Sequence, residues 1–488
     1  MTRLIPFGRF HPDAEGINAA VVLKAANVRP VAAGFAPFRS AVSVGDSLGS
    51  QVRGAVSRLD STGNVISFAG TETALKKLGS GHVWSDVSRV SGGAYSTTAP
   101  ERWRFGEYGS YIIATNYVDD VQAWQMGVSS NFAALGGSPP KARYIGIVRD
   151  FVVLGNLVSD NKAIHWSAVN DATGWTVGTA SSDVQSFPDG GPIQGIIGGE
   201  VGYIFQREAV TRMTFVPGSG EIFQFDEVES GRGLFAPDSL VHNASEAFYV
   251  GVDSLYRMNL ASGVSRPIGV GKFRDWFVAD MEPDSQSLCF GALAPQMNLY
   301  CLAYVSRDNV TKTSPDRMLV YDWAIDEAAF VNITANTLTR WLSQGVDLDS
   351  MDSFGDLDSL ELSLDAPFWK GGAPLLSVFQ DDNKIAYFNG SNMAAEFVTA
   401  DGQVDGRRQL ITGTRPHIDC TGVTVEVAGR ERDGDTISYA AAESMEDTGE
   451  VPAWVSGNYC RARITVAAGE SWTYAKGIDT MSQDMGSR

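Results

Sequence analysis

Helix-forming stretches are scarce in this chain. Thr71–Leu78, which opens on Thr-x-x-Ala, reads as one short helix. Few other runs keep a helical period over the roughly ten residues that a helix needs. Cysteine is scarcer still: Cys289, Cys301, Cys420 and Cys460 are 4 in 488 residues and form no C-x-x-C pair. That excludes a disulfide framework and a thiolate zinc site, and the four are expected buried and reduced, with Cys289 and Cys301 on neighbouring strands. The 5 histidines, at positions 11, 82, 165, 242 and 417, make no H-x-H or H-E-x-x-H spacing, which excludes the common zinc motifs. No run of about 18 apolar residues is present, so membrane insertion is not expected. The opening residues carry no apolar stretch with a small-residue cleavage site, so no secretory signal is read. Positive charge is also short: 38 basic residues face 57 acidic ones, a net charge of -19. Such a surface repels nucleic-acid phosphates, which excludes a DNA-gripping role but suits a passage through which DNA slides unheld.

What is present is a recurring hairpin. Tyr111–Thr115 with Val121–Trp124, Phe151–Leu154 with Ile164–Ser167, and Gly202–Gln206 with Val210–Phe215 are short apolar strands joined by turns rich in Asp, Asn or Gly. Ala247–Val250 with Leu255–Met258, Met318–Asp322 with Ala328–Val331, and Leu375–Phe379 with Ile385–Phe388 continue the series. An earlier hairpin, Val56–Leu59 with Val65–Phe68, opens it. Starts fall mostly about 40 to 60 residues apart, the period of a propeller whose blades are small antiparallel sheets. The 52 glycines and 44% apolar content suit many short strands joined by tight turns. Trp103, Trp124, Trp166, Trp175, Trp276, Trp323 and Trp369 lie in or beside hairpins, where large rings fill gaps between sheets.

The expected fold is therefore all-β: a β-propeller of six or seven blades over 46–399, an N-terminal arm at 1–45, and a small C-terminal β-sandwich at 400–488. The arm is read as a segment running across other structure. The sandwich follows a polar joint at Asp401–Leu410 and is read from alternating runs such as Val423–Val427 and Ala462–Val466.

Catalytic motifs find no foothold. The loop holding Asp347, Asp349, Asp352, Asp356 and Asp358 suggests calcium, but its glycine, Gly355, is misplaced for the twelve-residue loop and Glu361 is out of register. It is read instead as a candidate channel or assembly loop, since long polar insertions in repeat folds tend to sit on a working face. The turn Ser167–Thr176 is distantly like the sialidase Asp-box, without a distinctive arginine, tyrosine and acid set. Ile268–Phe273 lacks the earlier glycine and final hydroxyl of a phosphate loop. No catalytic, cofactor or metal residues are assigned.

Several phrases resemble the tail nozzle, or tail hub, proteins of short-tailed bacteriophages, also called packaged-DNA stabilisation proteins. They are Ile164–Ser167 with Trp175, Phe187–Gly195, Ile204–Met213, Ser230–Ser239, Phe248–Asp253, and Pro267–Gly269 with Phe273–Phe277. Val455–Val466 and Trp472–Asp479 resemble the closing domain of such proteins. The resemblance implies a structural virion protein without enzymatic activity, made in the host cytoplasm and working in the podovirus tail. It implies a homo-hexameric ring below the portal and its head–tail adaptor, closing the DNA exit, with tail fibres or tailspikes outside and double-stranded DNA passing through on ejection. Two readings stand beside it: a propeller-type polysaccharide hydrolase or lyase, and a glycan-binding tail module.

Overall fold

The computed structural model describes the whole chain except residues 1, 15, 61, 219, 346–368, 370, 404–406 and 486–488. Strands dominate it, and among the described residues the one α-helix is Arg274–Asp280. No helix there is long and apolar enough to cross a membrane.

The protein is a β-propeller of seven four-stranded blades, each antiparallel. The first strands of blades 1 to 7 are, in order, Gly54–Leu59, Arg104–Tyr108, Ala142–Val148, Ile193–Ile197, Val241–His242, Phe290–Ala294 and Thr337–Leu342. Those of blades 1 to 4 touch in sequence, and so do those of blades 5, 6, 7 and 1. This places them innermost.

Each gap between blades holds its own apolar cluster, which explains why the strands carry apolar residues on both faces. Phe68, Trp103 and Trp124 fill the gap between blades 1 and 2; Val121, Leu154 and Trp175 that between 2 and 3. Trp166, Ile204 and Met213 fill the gap between 3 and 4, and Tyr203, Phe205 and Tyr249 that between 4 and 5. Phe248, Tyr300 and Leu302 join blades 5 and 6, Val320, Leu338 and Val378 join 6 and 7, and Trp341, Phe379 and Leu78 close 7 onto 1. At about 1.5–3 kcal/mol per fully buried large side chain, these clusters are the main force holding the ring shut.

Hydrogen bonding closes the ring as well. Blade 7 takes its outermost strand, Val42–Val44, from the N-terminal region, paired with Ile385–Tyr387. The Ser57 hydroxyl of blade 1 accepts from the Leu342 amide of blade 7 at 3.2 Å.

The remaining N-terminal residues do more than cross other structure. Beyond the last strand of blade 6, Glu327–Asn332, the sheet continues through Val21–Ala26, Ala395–Thr399, Tyr459–Val466, Val423–Arg430 and Glu443–Ser444, and Arg9–Phe10 on Val21–Ala26 makes it ten strands. A second sheet runs in the order Val451–Gly457, Gln409–Ile418, Ala475–Asp484, Gly34–Pro37 and Val28–Val31, with Thr2–Pro6 on Ala475–Asp484. The C-terminal sandwich is thus woven from both ends of the chain. Phe7, Phe10, Phe35, Phe397, Ile464 and Trp472 share one core with Phe248 and Tyr300 of the propeller.

The expected helix at Thr71–Leu78 is instead the strand Leu75–Leu78, paired with Ser67–Gly70. Pairing within the blade overrides a weak local preference. Cys301 lies opposite Ala292, and Cys289 precedes that strand, so the two thiols do not face each other. They belong to cores on opposite faces of blade 6.

Candidate functional site

The five aspartates of the acidic loop, Asp347, Asp349, Asp352, Asp356 and Asp358, lie outside the described residues. Their segment joins the first and second strands of blade 7, which pair as far as Leu342 and Pro374. The sialidase-like turn is structural here. The Asp171 carboxylate accepts from the Thr173 amide at 2.8 Å and hydroxyl at 2.7 Å, and the Trp175 indole N–H donates to the Ala172 carbonyl at 2.8 Å. The histidines stay apart: His11 sits 3.0 Å from Glu327 and His417 3.1 Å from Asp479, while His82 and His165 are buried in separate blades. Among the described residues no group of three or more metal-ligating side chains forms.

Motif reasoning missed one charged constellation, at the mouth of the propeller axis. A cavity of about 180 Å³ is lined by Glu101, Arg102, Arg104, Arg143, Tyr144 and Asp238, with others. Arg104 and Arg143 sit on the innermost strands of blades 2 and 3, and Asp238 precedes that of blade 5. Asp238 accepts from Arg104 Nη2 at 2.7 Å and lies 3.8 Å from Arg102 Nε. Arg143 grips Glu101 through two of its nitrogens, Nε at 3.0 Å and Nη2. Arg102, 7% exposed, lies over the Phe290 ring at 4.4 Å and donates to the Thr337 hydroxyl of blade 7. Burial lowers its pKa to about 10; Asp238 opposes the fall, and Arg104 and Arg53 add to it. The guanidinium remains charged at neutral pH.

The arrangement ties blades 2, 3, 5, 6 and 7 together around the axis. Chemically it can fix and orient, because both carboxylates are occupied by guanidinium groups. The signal available in the sequence was an arginine at or just before several first strands: Arg53 and Arg58, Arg102 and Arg104, Arg143, and Arg340.

A second charged knot pins the sandwich. Asp401, 2% exposed, receives Arg430 Nη2 at 2.6 Å and Arg461 Nη2 at 2.7 Å. Its backbone bonds Gly16 and Asn18 of the N-terminal region. The start of the presumed polar joint is a buried anchor.

No family model matches the sequence, and no curated protein does. Solved structures that it resembles include the extracellular domain of a putative hybrid two-component system from B. thetaiotaomicron, at 12% identity and a TM-score of 0.39. That match covers 83% of this chain and 47% of the other, so the chain spans about half the length of that protein. A chain of the mitotic checkpoint complex matches at 10% identity and TM-score 0.41, covering 72% of this chain and 95% of that one. The Pan2 WD40 domain of Neurospora crassa matches at 9% and 0.37, covering 63% and 90%. At these scores the propeller assignment rests on the strand pairing described above.

Proposed function

We propose that this chain is a structural subunit of a short-tailed bacteriophage virion, the tail nozzle that closes the DNA exit below the portal and adaptor. The observation that carries the reading is the sheet that runs from Phe290–Ala294 to Glu443–Ser444, joining propeller and sandwich at the Ala26–Phe330 pair above a core that both share. An element that must resist internal pressure gains from such construction, since two modules on a flexible linker would hinge. Among the described residues the sheet edge Val451–Gly457 has no further strand beside it, and it presents Trp454, 78% exposed. An exposed tryptophan on a free edge suits contact between subunits. Six copies form the ring; fibres or tailspikes take its outer face. Retention is mechanical, by loops narrowing the ring opening, and release follows their displacement. Each chain carries -19, so DNA passes along the ring without being gripped.

The test is the mass of the purified protein, with negative-stain images, alone and mixed with adaptor. Six-fold rings that Trp454→Lys disperses into folded monomers support the proposal. A strict monomer in both conditions that cleaves polysaccharide overturns it in favour of the hydrolase reading.

A further inference from the structure

A cavity of about 500 Å³ lies away from the axis, where blades 6 and 7 meet the sandwich. Its size falls in the range that takes small organic ligands, ~300–1,000 Å³. Arg29 reaches it from the sandwich, and Arg39 from the segment leading into blade 7. Neither guanidinium has a hydrogen-bond or ion-pair partner among the described residues, and no lining residue is acidic. Asp419, the carboxylate bonded to the lining residue Thr473, is committed to its amide at 2.8 Å and to that of Tyr474 at 3.0 Å. In a chain carrying -19, two unneutralised cations in one cleft are a local reversal of field that attracts anions.

The walls narrow the chemistry further. Phe38, Phe388 and Trp472 give an apolar side, while Asn389 supplies an amide whose buried Oδ1 lacks a partner among the described residues. Phe38 and Phe388 meet edge to face at 5.4 Å and 69°, so they offer no parallel slot for a flat base. They do offer a surface for the C–H face of a puckered ring. We infer that this cleft binds a carboxylate-bearing saccharide of one to three rings, with Arg29 and Arg39 taking the carboxylate and the amide and hydroxyl groups of the rim taking ring hydroxyls. The cleft is lined by one chain alone, so failure of this proposal leaves the nozzle reading untouched.

The experiment is calorimetric titration of the intact chain with trigalacturonate, beside maltotriose and adenosine monophosphate. Saturable binding of trigalacturonate alone is expected, weakening as salt rises from about 50 to about 500 mM. Arg29→Gln combined with Arg39→Gln should weaken it by about tenfold or more, the loss expected for a charge-assisted hydrogen bond. An unchanged melting temperature shows that the variant folds, as expected for side chains without partners. Phe388→Ala should weaken binding without altering its salt dependence. Absence of saturable trigalacturonate binding, equal binding of maltotriose, or an unaffected double variant overturns the proposal. Preferential binding of adenosine monophosphate overturns the saccharide assignment.

Discussion

The propeller and the sandwich are built from the same kind of strand but joined by opposite rules. Within blades 1 to 6 every strand pairs with its sequence neighbour, so the pairing is local in the chain. In the sandwich Thr2–Pro6 pairs with Gly477–Met481, and Val21–Ala26 lies beside Ala395–Thr399. Closing a long loop costs entropy that only later contacts repay, so the sandwich depends on the rest of the molecule in a way that a single blade does not.

The harshest way to break that contrast is to delete residues 1–45. This removes strands from both sandwich sheets and the closing strand of blade 7, so the loss should exceed the whole stability of a typical domain, ~5–15 kcal/mol. Circular dichroism with urea titration should show no cooperative transition. A propeller that still unfolds cooperatively would show that the ring closes without its borrowed strand.

Next is Asp401→Ala, which strands Arg430 and Arg461 without their carboxylate. Removing one partner of a buried ion cluster costs about 3–5 kcal/mol. The urea midpoint should fall accordingly, with the sandwich losing hydrogen-exchange protection first.

The pH dependence tests the other side, the seam between blade 7 and blade 1. Burial lowers the His82 pKa from 6.5 to about 4. Its carbonyl accepts from the Asp46 amide at 3.0 Å. The unfolded chain therefore takes up the proton first as pH falls. Stability should be full above pH 6.5 and drop between 6.5 and 4, by up to ~3 kcal/mol from this residue. Burial shifts His165 in the same direction. His82→Asn, which tolerates the residue's positive φ of 57°, should flatten that part of a melting-temperature profile.

A purely local test is Gly137→Ala, beside the gap between blades 2 and 3. Gly137 has φ +79°, and a Cβ there would sit 1.6 Å from the Thr173 carbonyl oxygen. Relief requires a backbone shift, worth about 1–3 kcal/mol. Smallest of all, Trp454→Ala should change the stability of the isolated chain by no more than ~0.5 kcal/mol, because an exposed ring holds nothing inside it.

The same contrast explains what could be read in advance. The hairpins visible in the sequence are mostly the second and third strands of a blade: Tyr111–Thr115 with Gln122–Gln125, Val201–Gln206 with Ala209–Phe215, and Glu246–Val250 with Leu255–Asn259. These are buried on both faces and joined by turns with clear chemistry. Fourth strands such as Asp183–Ser186 are exposed throughout and carry little apolar signal. Blade count stayed open between six and seven because the seventh sheet is completed by residues about 340 positions earlier, and no local pattern encodes a partner that distant. The tryptophans were legible as gap fillers because few other side chains are large enough for the task. The axial arginines were not, since a cation pointing into a ring looks in sequence like any surface residue. The Arg29–Arg39 cleft was hidden for a related reason: its walls come from the N-terminal region, blade 6, blade 7 and the C-terminal region, which share no motif.

Borrowing the outermost strand of blade 7 from Val42–Val44 has a consequence for biosynthesis. A ribosome delivers that strand hundreds of residues before Ile385–Tyr387 exists to receive it. Until then the nascent ring stays open, with Trp341 and Phe379 awaiting their covering neighbours. Final annealing is therefore a late event in translation, and crowding or slow elongation over the last blades should expose greasy surface to chaperones. Yield should respond to codon choice there more than in the early blades.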